Sequence, residues 1–222
     1  MNTLISMLTI SIHIFFFTNV SKANELNNCY KIATKVEKEF KIPNKLLSSI
    51  SLTETGITKN GIYQPWPWSL NVKGESKFFD SRKEMRVFLN KVISKKQSNV
   101  DIGCMQLNYK YHRKMFKNLK NMINPEENIY YAGKFLKELF LKHKSWKKAI
   151  ARYHSSDPVR MKVYLEKVLR HWENNREGLY NYPPTKKENF VKITKEVTYR
   201  KTNELKIIYF RRILKEERIK RM

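Results

Sequence analysis

Apolar residues recur at three- and four-residue steps over most of the chain, which is the spacing of amphipathic α-helices. A first helix is predicted over residues 26–40. A second is predicted between Pro43, which suits a first turn, and Gly56, which suits the residue after a helix. On this second helix Glu54 shares a face with Leu47, Ile50 and Ser51.

Helix-start signals predict four further helices. Ser81 opens a capping box, Asn124 and Asp157 each precede a proline, and Ser145 precedes another apolar stripe. The last helix is long and is predicted to run to Gly178. The pattern therefore indicates a mainly α-helical domain.

Residues 57–80 do not show the helical spacing of apolar residues. Apolar and polar residues alternate from Trp68 to Val72, and a turn at 73–75 leads to Phe78. This pattern predicts a small β-hairpin. After the segment Gly103-Cys104-Met105-Gln106, the chain is predicted to be loop or short helix as far as Ile123.

The two ends of the chain are predicted to lie outside this domain. Residues 1–23 carry an apolar run followed by Ser21-Lys22-Ala23, which predicts a cleaved secretory signal. A retained membrane anchor is the alternative, and both predict export. The domain is placed at 24–178 and a basic tail at 179–222. Within the tail, the stretch from Leu205 to Ile219 is predicted to be a basic amphipathic helix on a membrane surface, with a solvated, partly ordered tail as the alternative.

The charge of the chain narrows the classes of partner. It carries 45 Lys+Arg against 20 Asp+Glu, a net charge of +25, which favours nucleic acid, a membrane surface or an anionic wall polymer. Because 33 of these cations are Lys, a Lys-rich background composition is an alternative. Export, and the lack of a zinc-finger, phosphate-loop or RNA-binding motif, argue against nucleic acid.

Two cysteines, Cys29 and Cys104, remain after the predicted signal. An even pair in an oxidising compartment indicates a disulfide, with two buried thiols as the alternative. The cysteines lack a matching His cluster, so neither a metal nor a cofactor is expected.

Glu54 is the candidate for acid–base chemistry, because it ends an apolar helix just before an aromatic segment. A lid formed by Trp66 or Trp68 would keep water from its carboxyl group and raise the pKa. A proton held near neutral pH is what a glycosidase acid requires. The alternative is a solvated surface carboxylate.

Four segments, at 42–47, 53–56, 103–106 and 151–155, resemble in this order the motifs of SLT-type lytic transglycosylases. These are goose-lysozyme-like enzymes that cleave peptidoglycan. Residues 65–72 and Tyr153-His154-Ser155 are similar to an exported proteobacterial subgroup, and the resemblance covers about residues 27–172. It implies an α+β lysozyme-like fold, with the hairpin flanking the active-site cleft, in a monomeric, cofactor-free periplasmic enzyme.

The resemblance also implies roles for single residues. Glu54 matches the catalytic acid/base, and Tyr153 matches a tyrosine that reaches toward its carboxyl group. The residues expected to bind substrate lie beside Glu54, in the 103–106 and 151–155 motifs, and in the hairpin region. They are Thr55, Met105, Gln106, Tyr153, His154, Trp66 and Trp68. The pairing of Cys29 with Cys104 is implied as well. Packing roles remain open for Met105, for Tyr153 and for the two tryptophans, and His154 has the alternative of a core or groove polar residue. Asn124 and Asn128 are interpreted as structural.

The resemblance implies a reaction and leaves its alternatives open. The expected reaction cleaves the bond between N-acetylmuramic acid and N-acetylglucosamine and forms a 1,6-anhydromuramyl end. A hydrolase would need a second carboxylate, for which Glu75, Asp80 and Asp101 are the candidates. A non-catalytic wall or secretion-complex component is a further alternative, and a secretion or pilus apparatus is a possible partner.

Overall fold

The computed structural model describes residues 28–59 and 61–180. The predicted signal at 1–23 and the predicted tail beyond Tyr180 lie outside the described residues. Within the described part of the chain, no helix is long and apolar enough to cross a membrane.

Helices form most of the described structure. They are α1 (Asn28–Glu39), α2 (Leu46–Thr55), α3 (Arg82–Ser94), α4 (Tyr109–His112), α5 (Leu119–Met122), α6 (Pro125–His143), α7 (Trp146–His154) and α8 (Pro158–Arg176), with a 3₁₀ turn at Arg113–Met115. This mainly α-helical architecture with a small antiparallel sheet agrees with the predicted lysozyme-like class.

The predicted helix starts are confirmed by side-chain caps. Ser81, Asn124, Ser145 and Asp157 each accept a hydrogen bond from a backbone N–H in the first turn of α3, α6, α7 and α8. These bonds satisfy donors that have no partner within the helix. The start of α2 was predicted three residues too early, because Pro43 precedes a left-handed Lys45 and the helix begins only at Leu46.

Within the described residues, six short strands form two antiparallel sheets. Strands β1 (Gly56–Lys59) and β2 (Ile62–Pro65) form one. The other contains β3 (Ser69–Val72), β4 (Glu75–Phe78), β5 (Val100–Ile102) and β6 (Leu107–Asn108), in the spatial order β4-β3-β5-β6. The predicted hairpin is confirmed as β3 (Ser69–Val72) with β4 (Glu75–Phe78). Strands β5 (Val100–Ile102) and β6 (Leu107–Asn108) were not predicted, and they extend the hairpin into a four-stranded sheet.

A single apolar core joins the helices to this sheet. The first two helices are buried through Ala33, Val36, Leu47 and Ile50, and the last helix through Val168. The predicted disulfide joins Cys29 on α1 to Cys104, with 5.9 Å between the Cα atoms. Closing a loop of 75 residues stabilises the fold by about 4 kcal/mol in the chain-entropy model.

Candidate active site

Glu54 lies in the last turn of α2, whose preceding turns are buried in the core. The helix ends at Thr55, and a Cβ atom on the next residue, Gly56, would overlap the carbonyl oxygen of Leu52 and the Tyr63 hydroxyl. Only glycine fits that contact, so the chain turns directly from the helix into β1. Glu54 is thereby held at the junction of the helical core and the first sheet.

The carboxyl group of Glu54 accepts a 2.6 Å hydrogen bond from the Tyr164 hydroxyl on α8. Burial raises the pKa of Glu54 from its ordinary value of 4.5 to about 8. The hydrogen bond from Tyr164 and the positive charge of Lys167 act in the opposite direction and lower this pKa, while the negative charge of Asp101 raises it. A carboxyl group in this setting is mostly protonated at neutral pH.

Glu54 faces an open cavity of about 280 Å³. Its walls come from the end of α2, the end of α7 and one face of α8, through Thr53, Glu54, His154, Val159, Arg160, Val163, Tyr164 and Lys167. The cavity therefore combines a protonated acid with apolar and cationic side chains.

The segment Gly103–Gln106 is a tight turn between β5 and β6, closed by a hydrogen bond from the Gln106 N–H to the Gly103 carbonyl. Gly103 adopts φ +75°, and a Cβ atom there would lie 3.0 Å from the Asn128 amide nitrogen. Gln106 is also left-handed, with φ 44°. A left-handed non-glycine residue costs about 1 kcal/mol, so the surrounding contacts must hold the turn in this shape.

This turn is held by Asn128, by the disulfide and by the side chain of Gln106. Buried Asn128 donates to the Ile102 and Met122 carbonyls and accepts from the Met105 N–H. The disulfide fixes Cys104 to α1. The Gln106 amide donates to the Ser69 hydroxyl and the Gly103 carbonyl, at 3.3 and 3.1 Å. Asn128 thus has the structural role that was predicted for it, as Asn124 has at its helix cap.

Thr55 connects the end of α2 to the same turn. Its hydroxyl contacts the carbonyl oxygens of Ser51 and Cys104, at 3.1 and 3.2 Å, and the residue is 1% exposed. The Ser51 hydroxyl donates to the same Cys104 carbonyl. Thr55 therefore positions the turn relative to Glu54, and its hydroxyl is directed at backbone oxygens.

Two tyrosines, Tyr153 and Tyr164, lie near enough to Glu54 for its charge to raise the pKa of each, with burial as the larger cause. Tyr153 donates from its hydroxyl to the Met105 carbonyl at 2.9 Å, so it also holds the turn. The hydrogen bond to Glu54 comes from Tyr164, which the sequence analysis did not identify as a site residue. A signal was present, because a tyrosine on an apolar helical stripe needs a partner for its hydroxyl.

The aromatic and thioether side chains of the predicted site lie in the core. Trp66 and Trp68 are each 5% exposed, and Met105 is 0% exposed. The Trp66 indole donates to the Phe79 carbonyl, whereas the Trp68 indole N–H has no partner among the described residues. Their burial favours the packing alternative over stacking on a substrate.

His154 lines the cavity and is exposed. Its ring stacks on Tyr164 with 4.3 Å between ring centroids and 4° between the planes. Burial of part of the ring and the charges of Arg160 and Lys167 lower the pKa of His154. His154 therefore packs behind the tyrosine that bonds Glu54.

Of the three candidates for a second carboxylate, Asp101 is the one whose negative charge raises the pKa of Glu54. It accepts a 2.8 Å hydrogen bond from Asn108, and burial raises its own pKa. Glu75 and Asp80 are largely exposed and form ion pairs with Lys77 and Lys59. In the described ranges, no group of three or more His, Cys, Asp or Glu residues is placed to hold a metal ion.

Residues 82–167 match the family model described as Transglycosylase SLT domain. The match contains Gln106, Tyr153, His154 and Tyr164, and Glu54 precedes it. No curated protein and no solved structure matches the chain. The family match, together with the fold, confirms the resemblance to SLT-type lytic transglycosylases and supports a lytic transglycosylase activity on peptidoglycan in general.

Proposed function

We propose that this protein is a lytic transglycosylase that cleaves the β-1,4 bond between N-acetylmuramic acid and N-acetylglucosamine and leaves a 1,6-anhydromuramyl end. The observation that carries the proposal is the pairing of Glu54 with Tyr164 at an open cavity. It supplies one carboxylic acid that is protonated near neutral pH, because its pKa is about 8. A single acid that returns to its starting state is sufficient for this reaction.

Glu54 acts first as an acid. Its proton moves to the glycosidic oxygen, the bond from that oxygen to the muramyl C1 breaks, and positive charge develops at C1. Because Tyr164 donates to Oε1, the second carboxyl oxygen of Glu54 is the one that carries the proton. The acetamido oxygen of the muramyl residue stabilises the cationic centre.

Glu54 then acts as a base. Its carboxylate removes the proton from the muramyl C6 hydroxyl, and the C6 oxygen attacks C1 and closes the anhydro ring. The proton returns to Glu54, so the acid is ready for the next cycle and no water is consumed. The Tyr164 hydrogen bond stabilises the carboxylate between the two steps.

Substrate contacts are proposed around this acid. Gln106 holds the N-acetyl group, as the resemblance implies, from a side chain oriented by Ser69. His154 offers its exposed ring at the cavity. Thr55, Met105 and Tyr153 support binding indirectly, because their contacts fix the turn that carries Gln106.

A hydrolase is the second candidate, and one observation favours it. Asp101 is near enough to Glu54 to raise its pKa, so a carboxylate that could activate water lies close to the acid. Asp101 differs from the exposed Glu75 and Asp80 because it is partly buried and accepts a hydrogen bond from Asn108. The lyase is favoured because a general base must reach the attacking water, and Asp101 is not among the residues that line the cavity at Glu54.

Periplasmic action is proposed for the domain at 24–178. The Cys29–Cys104 disulfide supports it, because such bonds persist in oxidising compartments. Association with a secretion or pilus apparatus, and contact of the basic tail with a membrane surface, remain proposals that rest on the sequence.

The proposal is tested by lysis of purified sacculi, which is measured as the fall in turbidity of the suspension. We expect Glu54→Gln to slow clearing by at least about 10³-fold, because it removes the transferable proton and retains the shape of the side chain. The exposed Glu138→Gln serves as the matched control and should clear sacculi at the wild-type rate. Clearing by Glu54→Gln would refute the acid assignment, and failure of the wild type to clear would favour a non-catalytic wall component.

A further inference from the structure

One face of α8 forms a wall of the Glu54 cavity. The wall residues follow helical steps of three and four, and they are Val159, Arg160, Val163, Tyr164 and Lys167. Tyr164 serves Glu54, but the other four side chains have no role in the proton transfers described above. Val159 is 72% exposed and Val163 is 48% exposed, so this wall is open to a ligand.

Within the described residues, neither cation of this wall forms a salt bridge with an acidic side chain. Arg160 and Lys167 are exposed, and within the described residues the salt bridges are Lys59–Asp80 and Lys77–Glu75. Asp157 is on the same helix end, but its carboxylate accepts the backbone N–H of Arg160. The guanidinium and ammonium groups therefore face the cavity without an ionic partner in the described structure.

The acid in the cavity does not neutralise them. Glu54 is mostly uncharged at neutral pH, since burial raises its pKa to about 8, and the pKa of His154 is lowered so that its ring is mostly neutral. The cavity thus carries a positive charge from Arg160 and Lys167 alone. Such a cavity favours a ligand with a negative group placed a few ångströms from the reacting bond.

We propose that Arg160 and Lys167 bind a carboxylate carried by the lactyl substituent of the muramyl residue. The inference rests on the proposed function. It adds a means of distinguishing the two sugars of the glycan strand, because only the muramyl residue carries this substituent. The carboxylate is that of the lactyl group itself in peptide-free glycan, or that of the stem peptide attached to it. Val159 and Val163 provide apolar contact for the methyl groups beside it.

This contact would set the register of the strand. If the muramyl substituent is held at α8, the muramyl C1 is directed to Glu54 in preference to the C1 of N-acetylglucosamine. A polymer of N-acetylglucosamine has no carboxylate, so it would gain nothing from the two cations. The cations are thus proposed as specificity-determining residues, with no part in bond cleavage.

The experiment measures binding in the full chain carrying Glu54→Gln, which prevents cleavage and keeps the side chain uncharged. Three probes are compared: peptide-bearing glycan strands, strands stripped by an amidase so that the lactyl carboxylate is free, and chitin oligomers. Arg160→Gln combined with Lys167→Gln should weaken binding of at least one carboxylate-bearing probe by about tenfold or more, with little change for chitin. A loss limited to peptide-bearing strands assigns the stem carboxylate, and a loss limited to stripped strands assigns the lactyl carboxylate. A loss for both probes shows that the two cations bind either carboxylate.

Lys162→Gln, an exposed cation on the same helix but absent from the cavity wall, is the matched control. An equal loss in this control, or an equal loss for chitin, would overturn the inference, because it would show a general charge effect or a damaged cavity. Thermal unfolding of each variant checks the fold. The outcomes distinguish failure of this inference from failure of the proposed function. If the wild type lyses sacculi but the double variant binds all three probes as well as the parent does, only this inference is refuted. If the cations discriminate between the probes but the wild type does not lyse sacculi, only the proposed enzymatic activity is refuted.

Discussion

The Tyr164 hydroxyl donates a 2.6 Å hydrogen bond to Oε1 of Glu54, across 110 positions of sequence. The bond joins the last turn of α2 to the second turn of α8, so it exists only when both helices are packed against the core. His154 stacks on the same tyrosine from the end of α7. The orientation of the proposed acid thus depends on helices from both halves of the domain.

Tyr164→Phe is expected to reduce kcat about tenfold and to leave KM nearly unchanged. The variant keeps the ring that stacks on His154 but removes the donor that stabilises the Glu54 carboxylate. Initial rates of sacculus clearing over a range of substrate concentrations measure both constants. Tyr111→Phe, at a residue that is 72% exposed, should behave as wild type. A tenfold rise in KM with unchanged kcat would instead indicate that Tyr164 contacts substrate.

The pH dependence of lysis should show a loss of activity at alkaline pH. Glu54 must be protonated for the first step, so activity is high below its pKa of about 8 and falls as the pH rises through that value. Tyr164→Phe should move this limb to higher pH, because the lost hydrogen bond lowers the pKa in the wild type. A limb centred near pH 5, or one unchanged in Tyr164→Phe, would contradict the assignment.

The same shift predicts how stability depends on pH. Glu54 has a pKa of about 8 when folded and its ordinary 4.5 when unfolded, so the folded state binds more protons between these values. Its contribution to the free energy of unfolding is complete below about pH 4.5 and is lost as the pH rises through 8, a change on the order of 5 kcal/mol. Urea unfolding of wild type and Glu54→Gln at several pH values measures it. The effect of Glu37, whose pKa is also raised, cancels in the difference. Asp101 interacts with Glu54, so the coupling between these two groups is part of the measured difference. A pH-independent difference would refute the shift.

Substitution of Thr55 distinguishes positioning from substrate binding. Thr55→Val should lower the free energy of unfolding by about 1 kcal/mol, because it removes a buried hydroxyl that bonds two carbonyl groups. Thr55→Ser retains that hydroxyl and should restore most of the stability. KM should be similar in the two variants, and a large rise in KM for Thr55→Val alone would show that the hydroxyl binds substrate.

Replacing both Cys29 and Cys104 by alanine should destabilise the domain by about 4 kcal/mol in the chain-entropy model. Urea unfolding with and without a reductant measures this effect. The reductant should destabilise the wild type and leave the double variant unchanged. A wild type that does not respond to the reductant, with its thiols titrated as free, would show that the pair is not bonded in solution.

The helices could be predicted because their signals are local. Ser81 and Asp157 cap helices through bonds that reach only three residues, so the chain around each carries the whole signal. The start of α2 was wrong because proline permits a first turn without requiring one, and the left-handed Lys45 delays the helix. Strands β5 and β6 have three and two residues, too few for an alternation to be seen.

The site was predictable in part. Glu54 stands out locally as an acid at the end of an apolar helix, and the motif resemblance adds Gln106. The tyrosine that bonds Glu54 was missed because the two are joined only by tertiary packing. The lid expected from Trp66 and Trp68 rested on their proximity in sequence, whereas the fold buries both rings in the core.

The mass of the products released from purified sacculi tests the central claim most directly. If Glu54 alone serves as acid and base, the muropeptides released by the wild-type protein end in 1,6-anhydromuramyl groups, each one water lighter than a reducing end. They should also resist borohydride reduction. Reducing ends on the cut strands would contradict the account and would assign the protein to the hydrolases, with Asp101 as the residue to examine.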